Sequence, residues 1–200
     1  MDAVRVALLR DVLAGTEWPA AARGFARALR SSVVPQDGGL LLVGTEVYEP
    51  WHMAAHLVDE STWSGLPQLR PTLVRHRVEP DDPVHLAVGL GRIEAAGRGE
   101  TLLVVAPERP DGGLLERVHD ARRSGATVLT LDGGDPEVRG LAHEALTVSA
   151  DDEVDLDTVQ HLVSAAAGEN PAPATRGRRT FRDRLSRLAD QLTAPPPTRW

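Results

Sequence analysis

The sequence predicts an α/β fold in which a parallel β-sheet is covered by helices on both faces. Three observations point to it. Short apolar runs such as Leu40-Leu41-Leu42-Val43 and Thr101–Ala106 are continuous rather than alternating, as in strands buried on both faces. Segments of helical periodicity separate these runs. Strand and helix then alternate along the chain, which calls for right-handed crossovers and a parallel sheet.

Taken in order, Val4, Ala7, Leu8 and Val12 predict an amphipathic helix over 2–14. A second helix is expected from about Pro19 to Leu29, with Ala22, Phe25, Ala26 and Leu29 on one face and proline in its first turn. The first strand is the run between Gly39 and Gly44, followed by a helix from about Pro50 to Val58 and a strand over Leu73–Val78. Residues 84–97 read as a helix, Thr101–Ala106 as a buried strand, and Leu114–Ser124 as a helix stopped at Gly125. Ala126–Leu131 and Ala145–Val148 complete five strands, with helices over Glu137–Glu144 and Leu156–Ala167. Residues 1–168 form the expected domain. Residues 169–200 form a basic linker, a short helix with Phe181, Leu185, Leu188 and Leu192 on one face, and a proline-rich end.

Composition narrows the chemistry. There is no cysteine, which excludes disulfides, cysteine nucleophiles and thiolate zinc sites. The formal charge of −7 is unevenly placed. Residues 169–200 carry seven arginines and three acids, while residues 1–168 carry the other 15 arginines and 26 acids. An acidic body argues against nucleic acid as a partner, and the basic segment 176–192 suits a protein partner with an acidic or grooved surface. No run reaches the roughly 20 apolar residues of a membrane span, and the N-terminus has no signal-peptide pattern, so the expectation is a cytoplasmic protein.

In open parallel sheets ligands bind beyond the carboxyl ends of the strands, which directs attention to the loops Gly44–Glu49 and Pro107–Gly113. In the first, Gly44 permits close backbone approach and Thr45 offers a hydroxyl. In the second, Arg109 can grip a phosphate, and Asp111, Gly112 and Gly113 form either part of that grip or a capped turn. His52 and His56 stand four residues apart, one above the other on a helix, so both imidazoles can reach one divalent ion. A plain polar edge on a core-facing helix is the alternative.

The element order, with RGETLLVVAP leading into LLERVHDARRSGATVLTL, resembles the sugar isomerase (SIS) domain family over residues 2–167. The resemblance implies a three-layer sandwich of flavodoxin-like topology with a five-stranded parallel sheet, a homodimer paired through residues 2–29, and a sugar-phosphate ligand. It is similar to the phosphoheptose isomerases where H-x-x-x-H replaces their H-x-x-x-E pair. It implies a metal set of His52, His56 and Asp157, with Gln160 and His161 close by, and a divalent metal such as zinc as cofactor. It also departs from the family: the serine-rich phosphate loop reads Ala106-Pro107-Glu108-Arg109-Pro110-Asp111, without hydroxyls and with two acids. The histidine of the family's last helix is replaced by Ala165. The expected function is therefore a catalytically silent binding or regulatory module for a phosphorylated sugar or other small anion. An isomerase using His52, His56, Glu46 and Glu49 for proton transfer is the second reading, and a scaffold acting through the basic tail the third.

Overall fold

A computed structural model describes residues 8, 9, 11–33 and 39–169. The chain divides into two units, Met1–Glu169 and Asn170–Trp200. The tail expected over 169–200 and most of the first expected helix lie outside the described residues, although residues 8, 9, 11 and 12 are helical.

Five strands form one parallel sheet in the order β2-β1-β3-β4-β5. They are β1 (Leu40–Val43), β2 (Pro71–Val74), β3 (Thr101–Ala106), β4 (Thr127–Asp132) and β5 (Glu144–Thr147). Helices α1 (Trp18–Ser32), α2 (Trp51–Ser64), α3 (Gly91–Glu94), α4 (Gly112–Arg123), α5 (Pro136–Leu141) and α6 (Leu156–Gly168) cover it. This is the expected three-layer sandwich.

Alternation within the apolar runs assigns the layers. Leu40, Leu42, Leu103, Val105, Leu129 and Leu131 pack on one side with residues of α1, α2 and α6. Leu41, Val43, Leu102, Val104, Ala106 and Val128 pack on the other with residues of α3, α4 and α5. Successive side chains of a strand leave opposite faces, so a strand covered twice is apolar on both, here apart from the buried Thr101, Thr130 and Asp132. At roughly 25 cal/mol per Å² of apolar surface, these two interiors supply the main drive to fold.

Three expectations need correction. Residues 84–97 are not a continuous helix; only Gly91–Glu94 makes a helical turn. Prolines 80 and 83 and glycines 89 and 91 interrupt the pattern. The Arg75 N–H instead donates to the Val88 carbonyl at 2.8 Å, and Gly89 bridges to Arg75, so the segment runs beside the end of β2. For the same reason β2 stops at Val74 as a regular strand rather than at Val78. β5 begins at Glu144, expected at the end of the preceding helix, which stops at Leu141, and it is an edge strand with Glu144 and Ala145 exposed.

At the end of β1 the chain turns on itself, with Thr45 N–H donating to the Tyr48 carbonyl at 2.9 Å. A Cβ on Gly44 would lie 1.8 Å from that carbonyl oxygen and 2.7 Å from Pro50 Cδ. Backbone cannot move away as a flexible side chain can. Gly44→Ala should therefore lower the unfolding free energy by about 2 kcal/mol, read from the urea midpoint at unchanged m-value; an unaltered midpoint would contradict the close approach.

Candidate functional site

The strand order reverses between β1 and β3, so the loops after these two strands diverge and leave a switch point at the carboxyl edge. Helices α2 and α6 lie on one face beside it, packed against each other. Their contacts advance together along both helices, from Tyr48 with Asp157 and Gln160 to His52 and His56 with His161, so the two run parallel.

Three imidazoles meet on this seam. One ring nitrogen from each of His52, His56 and His161 lies within 4.8 Å of the other two. Nε2 of His52 and Nε2 of His56 are 2.9 Å apart. The ring centroids are separated by 4.3 to 4.5 Å, with His161 edge-on to His52. His56 and His161 are buried and His52 is exposed, so one side of the group faces outward. A tetrahedral zinc site with bonds near 2.05 Å needs nitrogens about 3.3 Å apart, which small side-chain rotations would reach here. Three histidines leave a fourth position for water or a ligand atom, the arrangement of zinc sites that do chemistry.

Burial and the neighbouring His161 and His52 push the His56 imidazole down to about 4, so it is neutral at pH 7. A neutral imidazole is the form that ligates a metal, whereas a group with so low a value is a poor proton acceptor. Nδ1 of His56 is buried without a hydrogen-bond partner, so this ring keeps unspent bonding capacity. Burial and donor type fit a divalent ion of the zinc class.

Asp157, expected among the ligands, stands one helical turn before His161 and belongs to a different cluster. Its Oδ1 accepts from the Tyr48 hydroxyl and from Gln160 Nε2, each at 3.0 Å. Gln160 Nε2 also donates to the Tyr48 oxygen at 2.8 Å. Burial, with further contributions from Asp157 and Glu108, pushes the Tyr48 phenol up to about 12, so it remains a protonated donor. The two carboxylates expected to transfer protons are held by arginines. Glu49 pairs with Arg75 at 3.2 Å, and Glu46 pairs with Arg77 at 3.2 Å on the exposed surface. Arg75 is itself fixed by Asp82 at 2.7 Å and lies 5.1 Å over the Trp51 ring.

The residues expected to hold a phosphate have other partners. The Thr45 hydroxyl donates to the Glu108 carboxylate, joining the two switch-point loops. Asp111 is the N-cap of α4 and accepts from Leu114 N–H at 3.0 Å. Gly112 begins that helix, and at Gly113 a Cβ would lie 2.9 Å from the Asp111 carboxylate. Arg109 reaches away to Glu137 at 2.9 Å, exposed on both sides of the pair. Sequence reasoning singled out neither Tyr48 nor Glu108, and it placed His161 near the site without a role. The signal for His161 was a third histidine on a helix expected to neighbour His52; nothing in the sequence fixed its rotation.

No family model matches the chain, and no curated protein matches it. Solved structures do. The NanR protein of Vibrio vulnificus, complexed with ManNAc-6P, superposes with a TM-score of 0.50 at 12% identity, covering 96% of this chain and 76% of that one. A candidate phosphosugar isomerase from Silicibacter pomeroyi gives 0.50 at 13%, covering 94% and 52%. Another from Bacillus subtilis gives 0.50 at 8%, covering 88% and 55%. This chain thus spans about half the length of the two isomerase-like proteins. Identities this low speak to architecture alone, and the architecture is clear: the chain has the sugar isomerase (SIS) domain fold.

Proposed function

We propose that this SIS-fold domain is a metal-centred binding module for a sugar-class ligand. The convergence of His52, His56 and His161 from two helices carries the reading. A zinc-class ion held there would act as a Lewis acid toward a carbonyl or hydroxyl oxygen at its fourth position. The protein's own groups would orient the ligand: Tyr48 as a donor, Asp157 as an acceptor, and exposed His52 at the opening. A binding or regulatory role is favoured over isomerisation because Glu46 and Glu49 are occupied by arginines and His56 is a weak base. The structural neighbours include one captured with a sugar phosphate, which supports a small carbohydrate as the class of ligand. A homodimer through residues 2–29 belongs to the same reading, supported by Leu8 and Val12, which are 59% and 77% exposed. Solution scattering should give the mass of two chains; a monomer mass would remove this part.

The metal is tested directly. Full-length protein should take up one equivalent of zinc by calorimetry and elemental analysis, and His161→Ala should weaken it by at least about 100-fold. Stoichiometric binding unaffected by that substitution would overturn the centre.

Without metal the seam should be sensitive to acid. His56 protonates near 6.5 in the unfolded chain and near 4 in the folded one. Between these values the unfolded chain binds the additional proton, so stability is held above about pH 6.5 and lost as pH falls toward about 4. Urea midpoints of chelator-treated protein should drop across that window, and His56→Gln should shrink the drop; equal slopes in both proteins would count against it.

A further inference from the structure

Helices α4 and α5 enclose a groove of about 660 Å³ that the histidine centre does not use. It opens on the face of the second core, whereas α2 and α6 pack on the first. Leu115, Pro136 and Leu141 line its apolar part, and both leucines are only partly buried against the second core. A Cβ on Gly140, which also lines it, would meet nothing within 4 Å, so glycine there leaves the groove open.

The rest of the rim is acidic. Glu116, Asp120 and Glu137 line the groove, and no arginine does. Glu137 is paired with Arg109, but the carboxylates of Glu116 and Asp120 have no partner among the described residues. Their placement does not serve the helix. Like charges four residues apart repel by about 0.2–0.5 kcal/mol, and Asp120 stands in the last turn of α4, where the helix dipole disfavours a carboxylate. Apolar lining beside unpaired carboxylates suits an occupant that is apolar and cationic together. The chain carries one. Residues 170–200 follow the domain and lie outside the described residues. Within them, 176–192 hold six arginines against Asp183 and Asp190, with Phe181, Leu185, Leu188 and Leu192 at the spacing of one helix face. An apolar stripe flanked by cations is the pattern by which a segment anchors in such a groove.

We propose that the groove between α4 and α5 is the docking site of segment 176–192, whose apolar stripe meets Leu115, Pro136 and Leu141 and whose arginines pair with Glu116 and Asp120. This is independent of the histidine centre and stands or falls without it.

The chain has no cysteine, so two introduced ones report this contact alone. Full-length protein carrying His119→Cys, in the groove, and Leu188→Cys is oxidised and the disulfide followed on non-reducing gels. It should form at least about tenfold faster than in a control pairing Leu188→Cys with Trp63→Cys, at a position 54% exposed on α2. Gly140→Phe, which fills the groove, should bring the rate toward the control, and so should Glu116→Gln with Asp120→Asn, which removes the charge. The trapped product contains one chain if the segment comes from the same copy and two if it comes from a second; either places the segment in the groove. Equal rates in the two cysteine pairs would overturn the proposal and leave the groove to another partner. Slowing by the charge variant without slowing by Gly140→Phe would also overturn it, since attraction would then act without a seat between the helices.

Discussion

The packing of α2 against α6 is the constraint on which the site depends. Both helices bury apolar residues on the same face of the sheet: Met53 and Leu57 from one, Val159, Leu162 and Val163 from the other. Once these are fixed, the remaining face of each helix has no freedom in where it points. His52 and His56 turn toward His161, and Tyr48 just ahead of α2 reaches Asp157 and Gln160 just inside α6. Further down the seam, Gly168 lets Glu60 approach so closely that a Cβ would lie 1.7 Å from its carboxylate. The apolar stripe thus sets the register, and the polar stripe beside it inherits that register.

Polar groups are costly in such a position unless they are paired or useful. The seam holds histidines, a glutamine and carboxylates where leucine would pack as well, and two buried polar atoms, His56 Nδ1 and Gln160 Oε1, make no hydrogen bond. Desolvation expresses itself in titration as well: the imidazole of His56 is driven neutral and the Tyr48 phenol is kept protonated. Displaced pKa values accompany functional sites and structural networks alike, and here they accord with the proposed site. The electrostatics differ from those of an anion cradle, because carboxylates occupy places where hydroxyls and free amides would serve a phosphate.

The layered fold was legible in the sequence because burial on both faces leaves a simple trace. β1 is apolar at every position and lies between Gly39 and Gly44, β3 is apolar after Thr101, and the helices between show one apolar stripe. The failure at 84–97 has an equally plain cause. Leu86, Leu90 and Ile93 are spaced as in a helix, yet Val88 and Gly89 between them run beside the end of β2 and bond to Arg75. Periodicity over so short a window does not distinguish the two when prolines and glycines flank it. Asp111 as an N-cap could be read from its place before a helix, since that bond is local.

The sequence alone determined the architecture, the absence of thiol chemistry and the pairing of His52 with His56, because each depends on composition or on neighbours within one helix. Tertiary structure decided which residue of α6 faces that pair. One turn separates Asp157 from His161, and the choice between them follows from how the helix seats its apolar side on the sheet. It likewise decided that Thr45 meets Glu108 across 63 residues. Such contacts arise only when strands distant in sequence become neighbours in the sheet, and no local pattern carries that distance.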